Sequence, residues 1–433
     1  MKVFCARAFG MVAVMAMAVL GVPHAAGLDT THTLHRSRMT EPHLTQTHHT
    51  AARRATVRHT AHATAKAAPA KHTVQTAAKT TGGATAHRVV LARRSRRHRY
   101  YERFTASSFT KNDVFADDVT TGEDPVVRQA AIDALGDMNG TAVVIDPSSG
   151  RILAMVNQKL ALSPGAEPCS TIKITVAMAA LSEGLVTRDT MVQLPGFRMN
   201  MTQALAKSNN LYFEELGREL GFDRVRHYAT EFGLGELAGY HIAGEQLGEY
   251  PEHEIPVADG GVGRMCSFGQ GVSLTPLQLG AYVAALANGG TLYYMQHPTT
   301  PEEVASFQPK VKRQLDIAKY VPELEDGMAG AVQYGTARSL RSNFTELPVF
   351  GKTGTCSDKG TRFGWFASFS DSPQGSLVTV FFLEGGRPTF GPRAAELTGE
   401  FYKNLWDHNY FAGKGQQVAE NRPAEPATQA AAQ

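Results

Sequence analysis

The apolar pattern divides the chain into four stretches. Lys2 and Arg7 precede an apolar run from Ala8 to Val22, with the small residues Ala25, Ala26 and Gly27 behind it. That order of charged, apolar and small positions is the pattern of an export signal, cleaved or retained as an anchor. From 28 to 100 large apolar residues nearly vanish. Thr, His, Ala and Arg dominate, so this stretch buries too little surface to offset its ordering entropy and reads as a disordered spacer. Patterned hydrophobicity begins near residue 101 and ends near 412. The last stretch, 413–433, is rich in Ala, Gln and Pro and again reads as disordered.

Within 101–412 the pattern predicts elements in a definite order. Pro125 to Leu135 has helical spacing with proline at an early helical position. Thr141-Ala-Val-Val-Ile-Asp146 and Arg151-Ile-Leu-Ala-Met-Val156 read as two strands flanking the turn Pro147-Ser-Ser-Gly150. A helix is expected over Ile174–Leu181, and helical signals dominate to about Leu340. Leu347–Phe350, Phe363–Ser370 and Leu377–Leu383 then read as strands, followed by a helix over 394–406. Strands at both ends of a helical middle predict one sheet built from distant segments, an α+β class.

Composition narrows the classes. With 42% hydrophobic and 19% charged residues among 433, collagen, long coiled coil and wholly disordered chains are excluded. A single apolar run near membrane length excludes a multi-span membrane protein. The net charge of +3 conceals an asymmetry. Residues 28–100 hold 14 Lys and Arg against Asp29 and Glu41, a charge of +12, so residues 101–433 are acidic. Arg93, Arg94, Arg96 and Arg97 suit a polyanion, and an exported chain would meet anionic envelope polymers or lipid head groups rather than nucleic acid. Ten of the 16 histidines lie in the spacer without fixed ligand spacing, so a metal site is not read there.

Three short motifs carry candidate chemistry. Ser170-Thr171-Ile172-Lys173 stands at a helix start, with Ser and Lys one turn apart on one face. A lysine of lowered pKa beside a serine can take its proton. Ser208-Asn209-Asn210 lies between two helices and reads either as an N-cap or as a proton-shuttling hydroxyl followed by an amide donor. Lys352-Thr353-Gly354-Thr355 follows an apolar strand and offers a cation, hydroxyls and a glycine suited to close approach by a ligand.

In this order the three motifs resemble the penicillin-binding protein transpeptidase domain, of the penicillin-recognising serine enzyme superfamily. Other segments match too. Glu167-Pro-Cys-Ser170 is similar to that family's E-P-G-S, with Cys169 replacing Gly. Phe232-Gly-Leu-Gly235 with Gly244-Glu245, Phe268-Gly-Gln-Gly271, Thr275-Pro-Leu-Gln278, Ala287-Asn-Gly-Gly-Thr291 and Gly335-Thr-Ala-Arg338 resemble further family segments. The resemblance spans about 141 to 404.

The resemblance implies a mostly antiparallel sheet flanked by helices, plus an all-helical subdomain with the site between them. It implies acylation of Ser170 by a D-Ala-D-Ala stem peptide of peptidoglycan, or by a β-lactam that mimics it. Lys173 would be the base, with Ser208 and Lys352 relaying the proton. Asn210, Thr353, Gly354 and Thr355 would bind substrate, the amides of Ser170 and Thr355 forming the oxyanion hole. No metal or other cofactor is implied. Class A carbapenem-hydrolysing β-lactamases are similar at one further point and join the positions of Cys169 and Cys356 by a disulfide, which the resemblance extends to this chain. Neither a glycosyltransferase-like nor a pedestal-like domain precedes the module here, so the expectation is a minimal transpeptidase in the periplasm or cell envelope. A serine β-lactamase, a D,D-carboxypeptidase and a non-catalytic β-lactam sensor or scaffold stay open. Against the β-lactamase stand the missing E-x-x-L-N and Y-G-N segments and Asn210 where class D enzymes carry S-x-V.

Overall fold

A computed structural model describes residues 104–110, 113–372 and 375–412, and the export segment, the spacer and the tail lie outside them. Helix α1 (Pro125–Leu135) starts where Asp124 accepts hydrogen bonds from the Val126 and Val127 amides, and it stops at Gly136 with φ +55°. Strands β1 (Gly140–Asp146) and β2 (Arg151–Val156) follow as an antiparallel pair. Asp146 closes their turn by accepting from the Ser148 amide and from the hydroxyls of Ser148 and Ser149. A short α2 (Gln158–Ala161) and a 3₁₀ turn (Cys169–Ile172) lead into α3 (Lys173–Ser182). Residues Lys173 to Leu181 are all buried, which makes α3 the axis of the helical region.

Around α3 pack α4 (Met201–Lys207), α5 (Asn210–Leu220), α6 (Phe222–Glu231) and α7 (Gly261–Phe268). Strands β3 (Val192–Leu194) and β4 (Phe197–Met199) form a small hairpin before α4. Helix α8 (Pro276–Ala287) opens on a reciprocal capping box between Thr275 and Gln278. Next come β5 (Thr291–Tyr293), α9 (Pro301–Ala305) and β6 (Val311–Gln314), with β5 and β6 paired. Helix α10 (Val321–Gln333) precedes the three long strands β7 (Val349–Asp358), β8 (Thr361–Ser370) and β9 (Leu377–Gly385), and α11 (Gly391–Asp407) ends the chain of elements. The two small hairpins interrupt the helical middle. Their strands of three or four residues are too short to leave an alternating pattern in the sequence.

The main sheet has the order β2-β1-β9-β8-β7, antiparallel throughout. It joins the first and last strands of the domain, the α+β arrangement that the apolar pattern implies. Both faces are covered, so β1 is buried on both sides of its pleat. Ala142 and Val144 face a core completed by α1 and α11. Val143 and Ile145 face the larger core built on α3 and α8. Strand β7 lies at one edge, against the 3₁₀ turn that carries Ser170. Among the described residues no helix is long and apolar enough to cross a membrane.

Candidate active site

Ser170 lies in the 3₁₀ turn rather than in the α-helix proper. In that tighter coil positions i and i+3 eclipse. The result is direct contact, with Lys173 Nζ 2.8 Å from Ser170 Oγ. The residue before the serine is conformationally unusual. Cys169 has φ +52°, in the left-handed region that favours glycine. Here a cysteine holds the position and is joined by a disulfide to Cys356 of β7, with the Cα atoms 5.5 Å apart and 187 residues of sequence between them. Cys266 is free and buried.

Lys173 is fully buried and reaches three further acceptors: Asn210 Oδ1 at 2.6 Å, the Ser208 carbonyl at 3.2 Å and Ser208 Oγ at 3.3 Å. The Ser-Asn-Asn segment serves two ends at once. Asn209 is the N-cap of α5, accepting from the Tyr212 amide. Ser208, with φ +54°, ends α4 and turns the chain so that Ser208 and Asn210 both meet Lys173. Because Asn210 uses its oxygen on Lys173, its amide nitrogen is left to donate outward.

Lys352 enters from β7. Its Nζ lies 2.8 Å from Ser208 Oγ and 3.0 Å from the Thr353 carbonyl, and it too is fully buried. Ser208 Oγ therefore bridges two lysines. Burial holds the Lys173 ammonium well below the usual lysine range, neighbouring Lys352 adds to this, and Glu214 opposes it. Burial alone brings Lys352 down to about 7. Both amines therefore give up their protons more readily than ordinary lysines do.

The remaining motif residues are placed less simply. A Cβ on Gly354 would lie 2.8 Å from the Pro168 carbonyl and 3.1 Å from Thr171 Cγ2. The protein's own nucleophile turn makes a close approach at this glycine. Thr353 Oγ1 hydrogen-bonds Thr336 Oγ1 at 2.6 Å, and Thr355 Oγ1 accepts from the Gly391 amide at 2.8 Å. Since Lys352 reaches the Thr353 carbonyl, that carbonyl faces the open side of β7. The amide of Thr355, two residues on, shares that direction. The Ser170 amide finds no acceptor among the described residues.

Sequence reasoning missed several contributors. Phe213 and Phe268 present their rings to Lys173 Nζ at 5.7 and 5.9 Å. Thr336 lies in the Gly335-Thr-Ala segment already matched by resemblance, but its contact with Thr353 is visible only in three dimensions. Gly391 has a clear steric reason, since a Cβ there would lie 2.7 Å from the Gly354 carbonyl. Taken together, the site offers a serine hydroxyl against a buried, easily deprotonated amine and two outward amides for a developing oxyanion. It is equipped for nucleophilic acyl transfer.

The comparisons with known proteins agree with that chemistry. The family model described as penicillin binding protein transpeptidase domain matches residues 140–403. The chain is 28% identical over 318 residues to stage V sporulation protein D of Bacillus subtilis, covering 61% of this chain and 48% of that protein. It is 26% identical over 361 residues to the peptidoglycan D,D-transpeptidase PbpA of Mycolicibacterium smegmatis, covering 66% and 71% respectively. For the peptidoglycan D,D-transpeptidase MrdA of Escherichia coli the identity is 27% over 275 residues, covering 53% and 41%. The match thus spans about half or less of two of these three relatives. Among solved structures, the D,D-transpeptidase domain of a peptidoglycan glycosyltransferase from Eggerthella lenta aligns with TM-score 0.55 and 20% identity, over 66% of this chain and 82% of that one. The imipenem acyl-enzyme complex of penicillin-binding protein A from M. tuberculosis aligns with TM-score 0.52 and 23% identity, over 65% and 78%. Both share the fold described above.

Proposed function

The chain belongs to the penicillin-binding protein transpeptidase family, and from that premise we propose that it is a serine D,D-transpeptidase acting on peptidoglycan stem peptides. One observation carries the reading. Lys173 Nζ contacts Ser170 Oγ at 2.8 Å while Ser208 Oγ links Lys173 to Lys352. Lys173, whose charged form is disfavoured by burial and by neighbouring Lys352, takes the Ser170 proton as Oγ attacks the penultimate D-Ala carbonyl. The oxygen–carbon bond forms, and negative charge collects on the carbonyl oxygen. The amides of Ser170 and Thr355 stabilise it, each donor contributing roughly 3 kcal/mol. The carbon–nitrogen bond then breaks, and the proton passes through Ser208 and Lys352 to the departing D-Ala amine.

The Asn210 amide nitrogen donates to the acyl part of the substrate. Lys352 and the hydroxyls of Thr353 and Thr355 lie where the terminal carboxylate must sit, the hydroxyls exchanging Thr336 and Gly391 for substrate. A stem-peptide amine or water resolves the ester. β-Lactams acylate the same serine and stay on it. The apolar run 8–22 supports a site of action outside the cytoplasm, in the periplasm or envelope, and the charge of the basic stretch 28–100 supports a tether to anionic polymers or lipids.

The test is labelling of the full chain with a fluorescent penicillin. Label that persists for hours on the wild type, and is absent from Ser170→Ala with unchanged far-UV circular dichroism, supports the reading. Rapid loss of label would identify a β-lactamase, and no label an inert scaffold.

A further inference from the structure

Residues 104–110 precede the first helix, yet they are built into the domain. The segment ties three loops together. The Thr105 amide donates to the Gly360 carbonyl at 2.9 Å, in the turn between β7 and β8. The Asn139 amide donates to the Ser108 carbonyl at 2.8 Å, and the Thr110 amide to the Asp137 carbonyl at 2.9 Å, just before β1. Between these anchors Ser108 turns its hydroxyl into the loop that joins β9 to α11. Ser108 Oγ accepts from the Gly386 amide at 3.0 Å and shares a hydrogen bond with Thr389 Oγ1 at 2.8 Å. Ser108 and Thr389 are both buried. Gly385 makes room for the segment, since a Cβ there would lie 2.5 Å from the Ser107 carbonyl oxygen and from Ser108 Cα.

The same loop leads straight to the site. Residues 386–390 join the end of β9 to Gly391, the first residue of α11. The Gly391 amide donates to Thr355 Oγ1, and its Cα presses on the Gly354 carbonyl. The loop is thus wedged between β7 on one side and residues 104–110 on the other. Where it holds Gly391 decides how the Thr355 hydroxyl is presented to a carboxylate. Without Ser108 Oγ the buried Gly386 amide loses its acceptor, and the loop must shift to satisfy it. The hydrogen bonds of Lys173 with Ser170, Ser208 and Asn210 involve none of these residues.

We propose that Ser108 is a positioning residue for carboxylate recognition. Through the Gly386 amide and Thr389 it fixes the loop 386–390, and through that loop it sets Gly391 against Thr355. The inference rests on the transpeptidase reading, in which the Thr355 hydroxyl meets the terminal carboxylate of the substrate. Ser108 itself touches no substrate. Its loss weakens recognition of the carboxylate and leaves attack by Ser170 intact.

The experiment uses the full chain and two acylating agents, benzylpenicillin and its methyl ester, which differ only at the carboxylate. Intact mass follows acylation of Ser170. A hydrogen bond to a charged group is worth at least about tenfold, so the wild type should react at least about tenfold faster with the acid than with the ester. Ser108→Ala should slow the acid by about fivefold or more and leave the ester within about twofold, because only the placement of Thr355 changes. Thr389→Val keeps the Gly386 contact and should slow the acid by less. Thr389→Ser keeps the shared hydroxyl and should behave as wild type. Acid and ester slowed equally by Ser108→Ala, or neither slowed, would overturn the positioning role. Should Ser108→Ala fail to fold, the same two outcomes for Thr389→Val decide. A wild type that does not distinguish acid from ester would overturn it as well. In each of these cases penicillin still labels Ser170 and the transpeptidase reading stands. Failure of penicillin to label the wild type would overturn both.

Discussion

Replacing Lys352 with methionine should make the protein more stable and almost inactive. Lys352 is fully buried, and burial brings its pKa from 10.5 to about 7. That gap is a free-energy difference between the folded and unfolded chain, at about 1.4 kcal/mol per pKa unit. The wild type therefore carries roughly 5 kcal/mol of destabilisation at or below pH 7. Methionine keeps the stem and removes the charge. It also leaves the Thr353 carbonyl and Ser208 Oγ without the hydrogen bonds that Lys352 gives them, at about 1 kcal/mol each. The net gain is about 3 kcal/mol, or roughly 5 °C in Tm for a domain of this size.

The pH dependence identifies the cause. Between about 7 and 10.5 the unfolded lysine holds a proton that the folded one has lost, so wild-type stability rises with pH. The advantage of Lys352→Met is full below that window and fades through it. Denaturant titrations at pH 6, 8 and 10 measure this directly, and penicillin acylation should fall by about 10²-fold or more. A variant less stable than wild type at pH 6, or a gain that does not shrink by pH 10, would refute the desolvation argument.

Three further outcomes are expected. Acylation by penicillin should rise with pH as Lys173 loses its proton. Glu214→Gln removes the anion that opposes the lowering of that lysine and should move the rising limb to lower pH; a move upward would contradict the assignment. Removing the disulfide with Cys169→Ser and Cys356→Ser should cost about 2–4 kcal/mol by denaturant unfolding. Cys169→Gly with Cys356→Ser should recover about 1 kcal/mol of that, because glycine adopts φ +52° freely; equal stability of the two double variants would show that the backbone there is unstrained. Gly354→Ala should slow acylation by about tenfold or more by pushing the Pro168–Thr171 turn away from β7, and an unchanged rate would mean that the turn gives way without cost.

What could be read from the sequence tracks the range of the interactions. Helix α1 spans Pro125–Leu135, as its spacing implies, because Asp124, Pro125 and Gly136 are local signals within one element. Strand β2 is equally local. Ser170 and Lys173 are three residues apart, so their pairing follows from helical geometry alone. The convergence of Lys352 and Ser208 is different. They lie 144 residues apart, and only resemblance to a family brought them together on paper. Gly354 shows the limit in one residue. Its smallness signalled a close approach, but that the nucleophile turn makes one there depended on the fold.

The order of strands in the main sheet sets a schedule for maturation. β1 pairs with β9 through Gly140 and Leu383, and β8 pairs with the same strand, so the last strand made joins two otherwise separate hairpins. Isolated hairpins are marginal in water, and their edges invite pairing with other chains. Contacts this distant in sequence form slowly. During synthesis the serine and its base emerge early, but the second lysine and the strand that aligns it come at the end. A growing chain shorter than Leu377 therefore carries a nucleophile it cannot yet use and open edges that need shielding. Reactivity and freedom from aggregation arrive together, when β9 slots between β1 and β8.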